Sequence, residues 1–362
     1  MMKLQRTILL RVDASPKLGL GHLMRCIALA QGLEKESVRP FFIIKEAKEA
    51  RIITDYGFDS QTISQKTSFQ EDVLKTMRIA AQFDAHIIIV DLSHYFDMAD
   101  RVNFEEHFQM LKKHGAAVIV LDDYDKINIA ADIHVIPYYG ADTMNYSFPR
   151  TTKPLLGLDY FIFRQEFSEC VTMPRTVRTQ ARNVLISMGG SDPANVTEKI
   201  LESLAEIQSP SLDVKVVLGR GFTSQRHQAV ISRMEKLNRM QRSWSVIEDT
   251  KNMAELMLWS DVAIISGGLI KYETALTGSP TIIISQKELE AKRCEEYAQK
   301  TNAAIHLGHF KNLKANIGKA ALDLLNDYTA RRLMSEKGKN LVDGKGTQRV
   351  IKHILEMETA LV

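Results

Sequence analysis

The sequence has few of the features that mark secreted, zinc-binding or membrane-spanning proteins. Its three cysteines, Cys26, Cys170 and Cys294, stand far apart, so neither a zinc-ligand pair nor a disulfide framework is expected. No apolar run reaches the roughly 18 residues that a membrane span needs. Residues 1–6 are charged but are not followed by the apolar region of a signal peptide. We therefore expect a soluble cytoplasmic protein without a membrane span.

The chain also lacks a strong excess of charge of one sign. The 47 lysines and arginines nearly balance the 44 aspartates and glutamates, which leaves a formal net charge of +3. This balance is unlike that of a protein that coats nucleic acid, so no nucleic-acid partner is expected. With 362 residues, of which 45% are hydrophobic and 25% charged, the chain is long enough for two globular domains. The same composition excludes disorder, collagen and coiled coil.

Short apolar runs alternate with segments of helical periodicity, which is typical of parallel sheets covered by helices. The predicted strands are Thr7–Val12, Pro40–Ile44, Ile87–Val90, Ala117–Leu121, Asn183–Ser187, Val214–Leu218, Ser245–Ile247, Val262–Ile265 and Thr281–Ser285. The helices predicted in the second half are Asn195–Ile207, Ser224–Leu237, Met253–Trp259, Tyr272–Leu276, Glu288–Lys300, Lys311–Asn326, Tyr328–Leu341 and Gly346–Glu358. The pattern predicts an α/β protein.

The alternating pattern stops once, over residues 168–182, and then restarts. We take this break as the join between two domains. The predicted division is an N-terminal domain over 1–170, a linker over 171–182, a C-terminal domain over 183–345 and a final helix over 346–362. Each domain is expected to be doubly wound and Rossmann-like, with ligands in the central cleft at the carboxyl ends of the strands.

The first strand leads into a loop with two glycines, Gly19 and Gly21, and then into a helix that His22 opens. The amide groups of a first helical turn and the positive end of the helix dipole disfavour imidazolium. A histidine in this position is therefore expected to stay neutral and to accept a proton. The alternative is a glycine-rich turn with a histidine that merely starts a helix.

A second strand-to-helix turn contains Gly189 and Gly190, followed by Ser191, Asp192 and Pro193. The glycines would let a ligand approach the backbone closely, and Ser191 or Asp192 would cap the next helix. An anion could bind at such a turn, although Asp192 would repel a phosphate. An ordinary capped turn has the same sequence pattern.

A third turn carries Gly267 and Gly268 into a helix that begins near Leu269 and Ile270. Its exposed amide groups could hold a diphosphate. Glu273, one turn into that helix, could accept hydrogen bonds from both hydroxyls of a ribose. The alternative for Glu273 is a carboxylate that interacts with the helix dipole.

Together these motifs resemble a family: the UDP-2,4-diacetamido-2,4,6-trideoxy-β-L-altropyranose hydrolases of pseudaminic acid biosynthesis and the related spore-coat polysaccharide proteins of the SpsG type. The resemblance runs in the family's order over nearly the whole chain. It is carried by the Arg11–Ser15 and Gly19–Cys26 segments, Asp91 with His94-Tyr95, Leu121–Tyr124, Leu156–Phe167, Ser187–Pro193, Asn252–Met257 and Gly267–Glu273.

The resemblance implies a GT-B-like fold related to the MurG glycosyltransferases, with UDP held by the C-terminal domain and the sugar facing the N-terminal domain. It also implies a monomer that takes a UDP-sugar as substrate and needs no cofactor and no metal. A water assisted by His22 would attack the anomeric carbon, and UDP would leave with inversion. Glu273 would bind the ribose, and the backbone near Ile247 would face the uracil.

The same resemblance implies three groups of site residues. The catalytic group is His22, Asp13 and Tyr95. The nucleotide and diphosphate group is Gly21, Gly189, Gly190, Ser191, Ile247, Gly267, Gly268, Leu269, Ile270 and Glu273. The sugar group is Arg11, Tyr95, Gln286 and Glu290.

The sequence departs from the family pattern in the C-terminal half. Ile270 stands where the family usually has threonine after its two glycines, so a hydroxyl that would help to hold phosphate is missing. An Asn-Gln pair near the sugar is also missing. Leu289 and Glu290 occupy its place, with Gln286 as a substitute if the loop is shifted. These departures change the predicted sugar-nucleotide site, whereas the His22 loop is intact.

Three functions follow as hypotheses. The first is a hydrolase that releases an amino-deoxy sugar from UDP for nonulosonic acid or surface polysaccharide synthesis. The second is an inverting GT-B glycosyltransferase, because the same base and diphosphate site would serve if an acceptor hydroxyl replaced water. The third is a protein that binds a sugar nucleotide without catalysis, and the intact His22 argues against it.

Overall fold

The computed structural model describes residues 6–15, 19–45, 47–92, 101–121, 129–207, 212–238, 244–248 and 250–361. The chain divides into two compact units, Met1–Gln165 with Lys345–Val362, and Glu166–Gly344. Each unit contains a parallel sheet with helices between its strands, which confirms the predicted α/β architecture of two Rossmann-like domains. None of the helices in these ranges has the length and apolar character of a membrane span.

The sheet of the first unit has seven parallel strands among the described residues, in the order β3-β2-β1-β4-β5-β6-β7. The strands are β1 (Thr7–Val12), β2 (Arg39–Ile44), β3 (Asp59–Thr62), β4 (Ile87–Asp91), β5 (Ala117–Leu121), β6 (Ile133–Ile136) and β7 (Lys153–Leu156). The first helices are α1 (Gly21–Lys35), α2 (Ala47–Asp55), α3 (Phe69–Gln82), α4 (Arg101–Lys113) and α5 (Gln165–Cys170), the last at the division between the units.

The sheet of the second unit has six parallel strands among the described residues, in the order β10-β9-β8-β11-β12-β13. The strands are β8 (Asn183–Ser187), β9 (Asp213–Leu218), β10 (Trp244–Glu248), β11 (Val262–Ser266), β12 (Thr281–Ser285) and β13 (Ile305–His309). The remaining helices are α6 (Val196–Ala205), α7 (Ser224–Asn238), α8 (Met253–Trp259), α9 (Ile270–Thr277), α10 (Glu288–Thr301), α11 (Ile317–Asn326), α12 (Tyr328–Lys339) and α13 (Gly346–Leu361).

Four strands were not predicted, namely β3, β6, β7 and β13, and three of them form sheet edges. The β3 sequence, Asp-Ser-Gln-Thr, has no apolar residue, and an edge strand tolerates this because part of it faces water. Strand β7 contains Pro154, whose missing amide proton an edge position accommodates. Apolar periodicity therefore misses these two edge strands, and it also misses the short internal strand β6, whose apolar run His134 interrupts.

The last helix, α13, is part of the core of the first unit. Val350 and Ile354 are fully buried in that core. A Cβ atom at Gly32 of α1 would lie 2.3 Å from the terminal methyl group of Ile351, so α1 and α13 pack closely at this glycine. The Thr347 hydroxyl accepts from the Phe163 amide at 2.9 Å. The helix predicted separately at 346–362 therefore completes the first unit.

The segment predicted as a linker, 171–182, is bound to the second unit. Arg175 donates from Nη1 to the carbonyls of Met257 and Leu258, at 2.9 and 2.7 Å, and from Nη2 to Ser260 at 2.5 Å. These carbonyls lie at the end of α8, where no further turn can satisfy them. The arginines that break the apolar pattern thus hold the segment in place.

Candidate functional site

The carboxyl end of the first sheet brings His22 to an aspartate. Strand β1 pairs with β4, so that Val12 lies opposite Asp91 where both strands end. Helix α1 begins at Gly21, and His22 Nδ1 lies 2.8 Å from Asp91 Oδ1. The His22 side chain is 14% exposed, whereas Asp91 is fully buried. The histidine therefore has an accessible edge and a fixed partner.

Arg25, one turn after His22 on α1, keeps the Asp91 carboxylate ionised. Its Nε and Nη2 donate to the two carboxylate oxygens of Asp91 at 2.5 and 2.6 Å. Burial alone would raise the pKa of Asp91, but Arg25 and His22 lower it below its usual value. Arg25 also donates to the Tyr138 hydroxyl. These contacts fix the carboxylate against the His22 ring.

The proton position on His22 follows from this environment. An ionised carboxylate only accepts hydrogen bonds, so the contact with Asp91 places a proton on Nδ1 of His22. Arg25 Nη2 lies farther from Nδ1, at 3.2 Å, and is already bonded to Asp91. In this tautomer the lone pair is on Nε2, the atom that can accept a proton from water or a hydroxyl group. Asp91 would also stabilise the imidazolium that then forms.

Neither Asp91 nor Arg25 was assigned a role from the sequence, although both belong to the family motifs. A signal was present for each. Asp91 ends a buried strand that is expected beside β1, and Arg25 is three residues after His22, on the same face of a helix. The pairing of β1 with β4 was needed to connect them.

Arg11 and Asp13 belong to a buried charge cluster beside this site. Arg11 is fully buried and donates to both oxygens of Asp13, at 2.6 and 2.9 Å, and to both oxygens of Asp72, at 2.9 and 2.7 Å. The Asp13 carboxylate also accepts from the Lys45 amide at 3.0 Å. The Arg11 guanidinium is thus buried and bonded to two carboxylates, and its predicted contact with a sugar stays a prediction. The catalytic role predicted for Asp13 likewise stays a prediction.

Tyr95, predicted in both the catalytic and the sugar groups, lies outside the described residues. Gly21 is exposed and begins α1, next to His22. The first unit thus brings together His22, Asp91 and Arg25, and the bonded pair of Arg11 and Asp13 lies at the end of β1.

His107 lies near the same charge cluster and is buried in α4. Its ring packs edge-on against Phe69 and Phe108, with centroids 6.0 and 5.6 Å away. Burial lowers the pKa of His107 from 6.5 to about 4. The Asp72 carboxylate raises this pKa, whereas the nearby cations Arg11 and Lys45 lower it. The folded protein therefore keeps this ring neutral down to about pH 4.

This ring makes the first unit sensitive to acid. Unfolded chains protonate the histidine near pH 6.5, but the folded unit does so only near pH 4, so the free energy of unfolding falls as the pH drops through this window. We expect the free energy of unfolding of His107→Leu, measured relative to that of the wild type, to rise by about 3 kcal/mol from pH 7 to pH 4. Urea denaturation at both pH values tests this, with the exposed His114→Leu as control. A gap between wild type and His107→Leu that does not change with pH would contradict it.

In the second unit, the carboxyl edge of the sheet brings three glycine-containing loops together. Strands β8 and β11 are neighbours, so the loops that follow them, with Gly189–Gly190 and Gly267–Gly268, are adjacent. Gly189 has φ +82°, a conformation that favours glycine. The loop after β9 also approaches, since the Gly221 amide donates to the Gly190 carbonyl at 2.9 Å. The loop after β9, with Gly219 and Gly221, was not predicted as part of this site.

Asp192 caps α6 in an unexpected position. Its two carboxylate oxygens accept from the amides of Val196 and Thr197, at 2.9 and 2.8 Å. The helix begins at Val196, so that Pro193 lies before it. Ser191 is buried beside the turn. The acidic group that would repel a phosphate is thus bound to backbone amides.

Gln286 and Glu290, predicted to contact the sugar, brace the loops. The Gln286 side chain donates to the Met188 carbonyl at 2.9 Å and accepts from the Ala194 amide at 3.2 Å. Glu290 accepts from the Gln286 amide at 2.8 Å, and its carboxyl carbon would lie 2.8 Å from a Cβ at Gly267. Both side chains thus contact the glycine loops, and their predicted contact with the sugar stays a prediction.

The other predicted nucleotide residues lie along the same sheet edge. Leu269 precedes α9, Ile270 begins it, and Glu273 is half-buried in its first turn. Ile247 is half-buried in β10, which β9 and β8 separate from β11. The amides at the start of α9 can bind an anion. Across the described part of the chain, no three histidine, cysteine or carboxylate side chains cluster as metal ligands would.

Two curated proteins are similar to the chain in sequence. An uncharacterized protein of Methanocaldococcus jannaschii is 28% identical over 339 residues, which is 88% of this chain but only 65% of that protein. The spore coat polysaccharide biosynthesis protein SpsG of Bacillus subtilis is 25% identical over 93% of this chain and 94% of its own. No protein-family model matches. The similarity to SpsG agrees with the wider resemblance drawn from the sequence, whereas the pseudaminic acid hydrolase stays a prediction.

Solved structures show the fold. MurG of Acinetobacter baumannii has a TM-score of 0.65 with 13% identity, over 97% of this chain and 99% of its own. Staphylococcus aureus MnaA, solved with UDP, has a TM-score of 0.63 with 12% identity, over 99% of this chain and 98% of its own. The chain therefore has the GT-B fold, which it shares with MurG and MnaA.

Proposed function

We propose that the protein is an enzyme of polysaccharide or nonulosonic acid biosynthesis that hydrolyses a UDP-linked amino-deoxy sugar at the anomeric carbon. The observation that carries the proposal is the contact between His22 and the buried Asp91 carboxylate, which Arg25 keeps ionised. This arrangement fits a general base with a fixed tautomer. His22 Nε2 takes a proton from water as the water oxygen bonds to the anomeric carbon and the sugar's bond to UDP breaks, with inversion.

The proposal assigns the nucleotide to the glycine loops of the second unit. Amides at the start of α9 would stabilise the negative charge that develops on the diphosphate as it leaves. Glu273 would accept from the ribose hydroxyls. The UDP in the MnaA structure and the polysaccharide role in the name of SpsG support a UDP-sugar as the substrate.

An inverting transferase would use the same groups, with an acceptor hydroxyl in place of water. The test is therefore run without an acceptor. Calorimetric titration with UDP, CDP, GDP and CMP identifies the nucleotide, and amino-sugar conjugates of the tightest binder are then incubated in buffer alone. Release of free sugar and nucleoside diphosphate supports the hydrolase. Tight binding without release of sugar would instead support a glycosyltransferase.

Glu273→Ala tests the ribose assignment. We expect UDP to bind about 10-fold more weakly, because hydrogen bonds to a charged acceptor contribute about 1.5–3 kcal/mol. Inorganic pyrophosphate, which has no ribose, should compete as well against the variant as against the wild type. Glu296→Ala is the matched control, since Glu296 is an exposed carboxylate that pairs with Lys300. Unchanged UDP affinity in Glu273→Ala would remove this residue from the site.

A further inference from the structure

A buried lysine contacts the loop that carries Gly267 and Gly268. Lys271, the second residue of α9, is 8% exposed. Its Nζ donates to the carbonyl oxygens of Gly267 and Gly268, at 3.0 and 2.9 Å. These two glycines belong to the loop that the proposed function assigns to the diphosphate. No role was predicted for Lys271 from the sequence.

The Lys271 side chain is charged although it is buried. Burial alone would lower its pKa, but Tyr272, Cys294 and Glu290 raise it above its usual value. The ammonium lies 4.4 Å from the centroid of the Tyr272 ring. Within the described residues it forms no ion pair with a carboxylate, so backbone carbonyls and an aromatic ring are its direct partners. Such partners compensate a buried cation only in part.

The hydrogen bonds of Lys271 determine where the loop amides point. In a trans peptide, the carbonyl and the following N–H point in opposite directions. A Gly267 carbonyl directed at Nζ therefore turns the Gly268 N–H away from the lysine. The Gly268 carbonyl is also directed at Nζ, so the Leu269 N–H likewise points away from the lysine. The Cys294 thiol, 3.3 Å from the Gly267 carbonyl, adds a second donor to the first of these peptides.

We propose that Lys271 is a positioning residue that directs the amides of Gly268 and Leu269 toward the diphosphate and supplies positive charge behind them. This inference rests on the proposed function, because it needs the nucleotide to bind at this loop. It also explains how the loop can work with Ile270, which offers no hydroxyl to a phosphate. The negative charge of the diphosphate would then offset the remaining cost of burying the Lys271 ammonium.

The test compares ligands that differ only in phosphate. Lys271→Met keeps the aliphatic stem and removes the charge, and Lys271→Gln keeps a single amide donor. UDP is titrated by calorimetry and uridine by NMR. We expect UDP to bind about 10- to 100-fold more weakly to both variants, with uridine affinity unchanged within about 2-fold. Lys319→Met, at an exposed position of α11, removes the same charge and should change neither.

Three other results would contradict the positioning role of Lys271. Equal losses for UDP and uridine would show that Lys271 only maintains the structure, as would failure of both variants to fold. Unchanged UDP affinity in folded variants would show that the loop amides do not depend on it. A wild type that binds neither UDP nor uridine would instead overturn the proposed nucleotide site, and this role with it.

Discussion

His22→Asn is expected to lower the rate of sugar release by about 10²–10⁴-fold while UDP binds as tightly as to the wild type. Asparagine can still donate to Asp91, but its side chain has no nitrogen that takes up a proton near neutral pH. The loss should therefore fall on turnover, because the interaction removed exists only in the transition state. Rates at saturating substrate, together with calorimetric UDP affinity, separate the two effects.

His114→Asn is the matched control for His22→Asn. His114 is exposed after α4 in the same unit, so the same substitution there should leave turnover unchanged. If His22→Asn released sugar at the wild-type rate, His22 would not be the base. If UDP affinity fell together with the rate, the residue would act in binding instead.

Asp91→Asn is expected to be damaging in two ways. The neutral amide no longer fixes the tautomer of His22 or stabilises its imidazolium, so sugar release should fall by about 10²–10⁴-fold. The change also leaves the buried Arg25 without its carboxylate, which should cost about 3–5 kcal/mol of unfolding free energy. Urea denaturation measures the second effect, and turnover per folded molecule measures the first.

Asp59→Asn provides the comparison for Asp91→Asn. Asp59 pairs with Arg39 at 2.6 Å, but the two side chains are 62% and 40% exposed, so losing this pair should cost less than about 1 kcal/mol. The two substitutions are chemically the same and differ in burial. A loss of turnover at Asp91 that only matched the loss of folded protein would contradict the positioning of His22.

The pH dependence of the Asp91 contribution has a definite sign. Because Arg25 and His22 lower the pKa of this carboxylate below its usual 3.8, its stabilising contribution is present above that value. It is lost as the pH falls further, through the lower pKa of the folded state. The acid sensitivity between pH 6.5 and 4 should therefore come from His107 and not from Asp91.

Most of the central strands and the position of His22 could be predicted because they depend on local sequence. A buried parallel strand is a run of apolar residues. The glycine loop after the first strand marks the start of α1, which places His22 in its first turn. The partners of His22 could not be predicted this way. Asp91 reaches it through the pairing of β1 with β4, and Tyr138 reaches Arg25 from farther along the chain.

Arg11 and Gln286, both predicted to contact the sugar, have polar groups that are bonded within the protein. Arg11 has the charge of a ligand-binding residue, but Asp13 and Asp72 bind its guanidinium completely inside the unit. Gln286 has the amide of a sugar ligand, but the Met188 carbonyl and the Ala194 amide occupy it. A residue type indicates which bonds a side chain can form. Only the fold shows which of those bonds are already formed within the protein.

The most direct test of the proposed hydrolysis follows the oxygen atom of water. A UDP-linked 2,4-diacetamido sugar is incubated with the enzyme, without an acceptor, in water that carries the heavy oxygen isotope. Mass spectrometry then locates the label. Attack on the anomeric carbon predicts label in the free sugar, none in UDP, and an inverted anomer by NMR when the product is first formed. Label in the phosphate of UDP, or no release of sugar at all, would contradict the account.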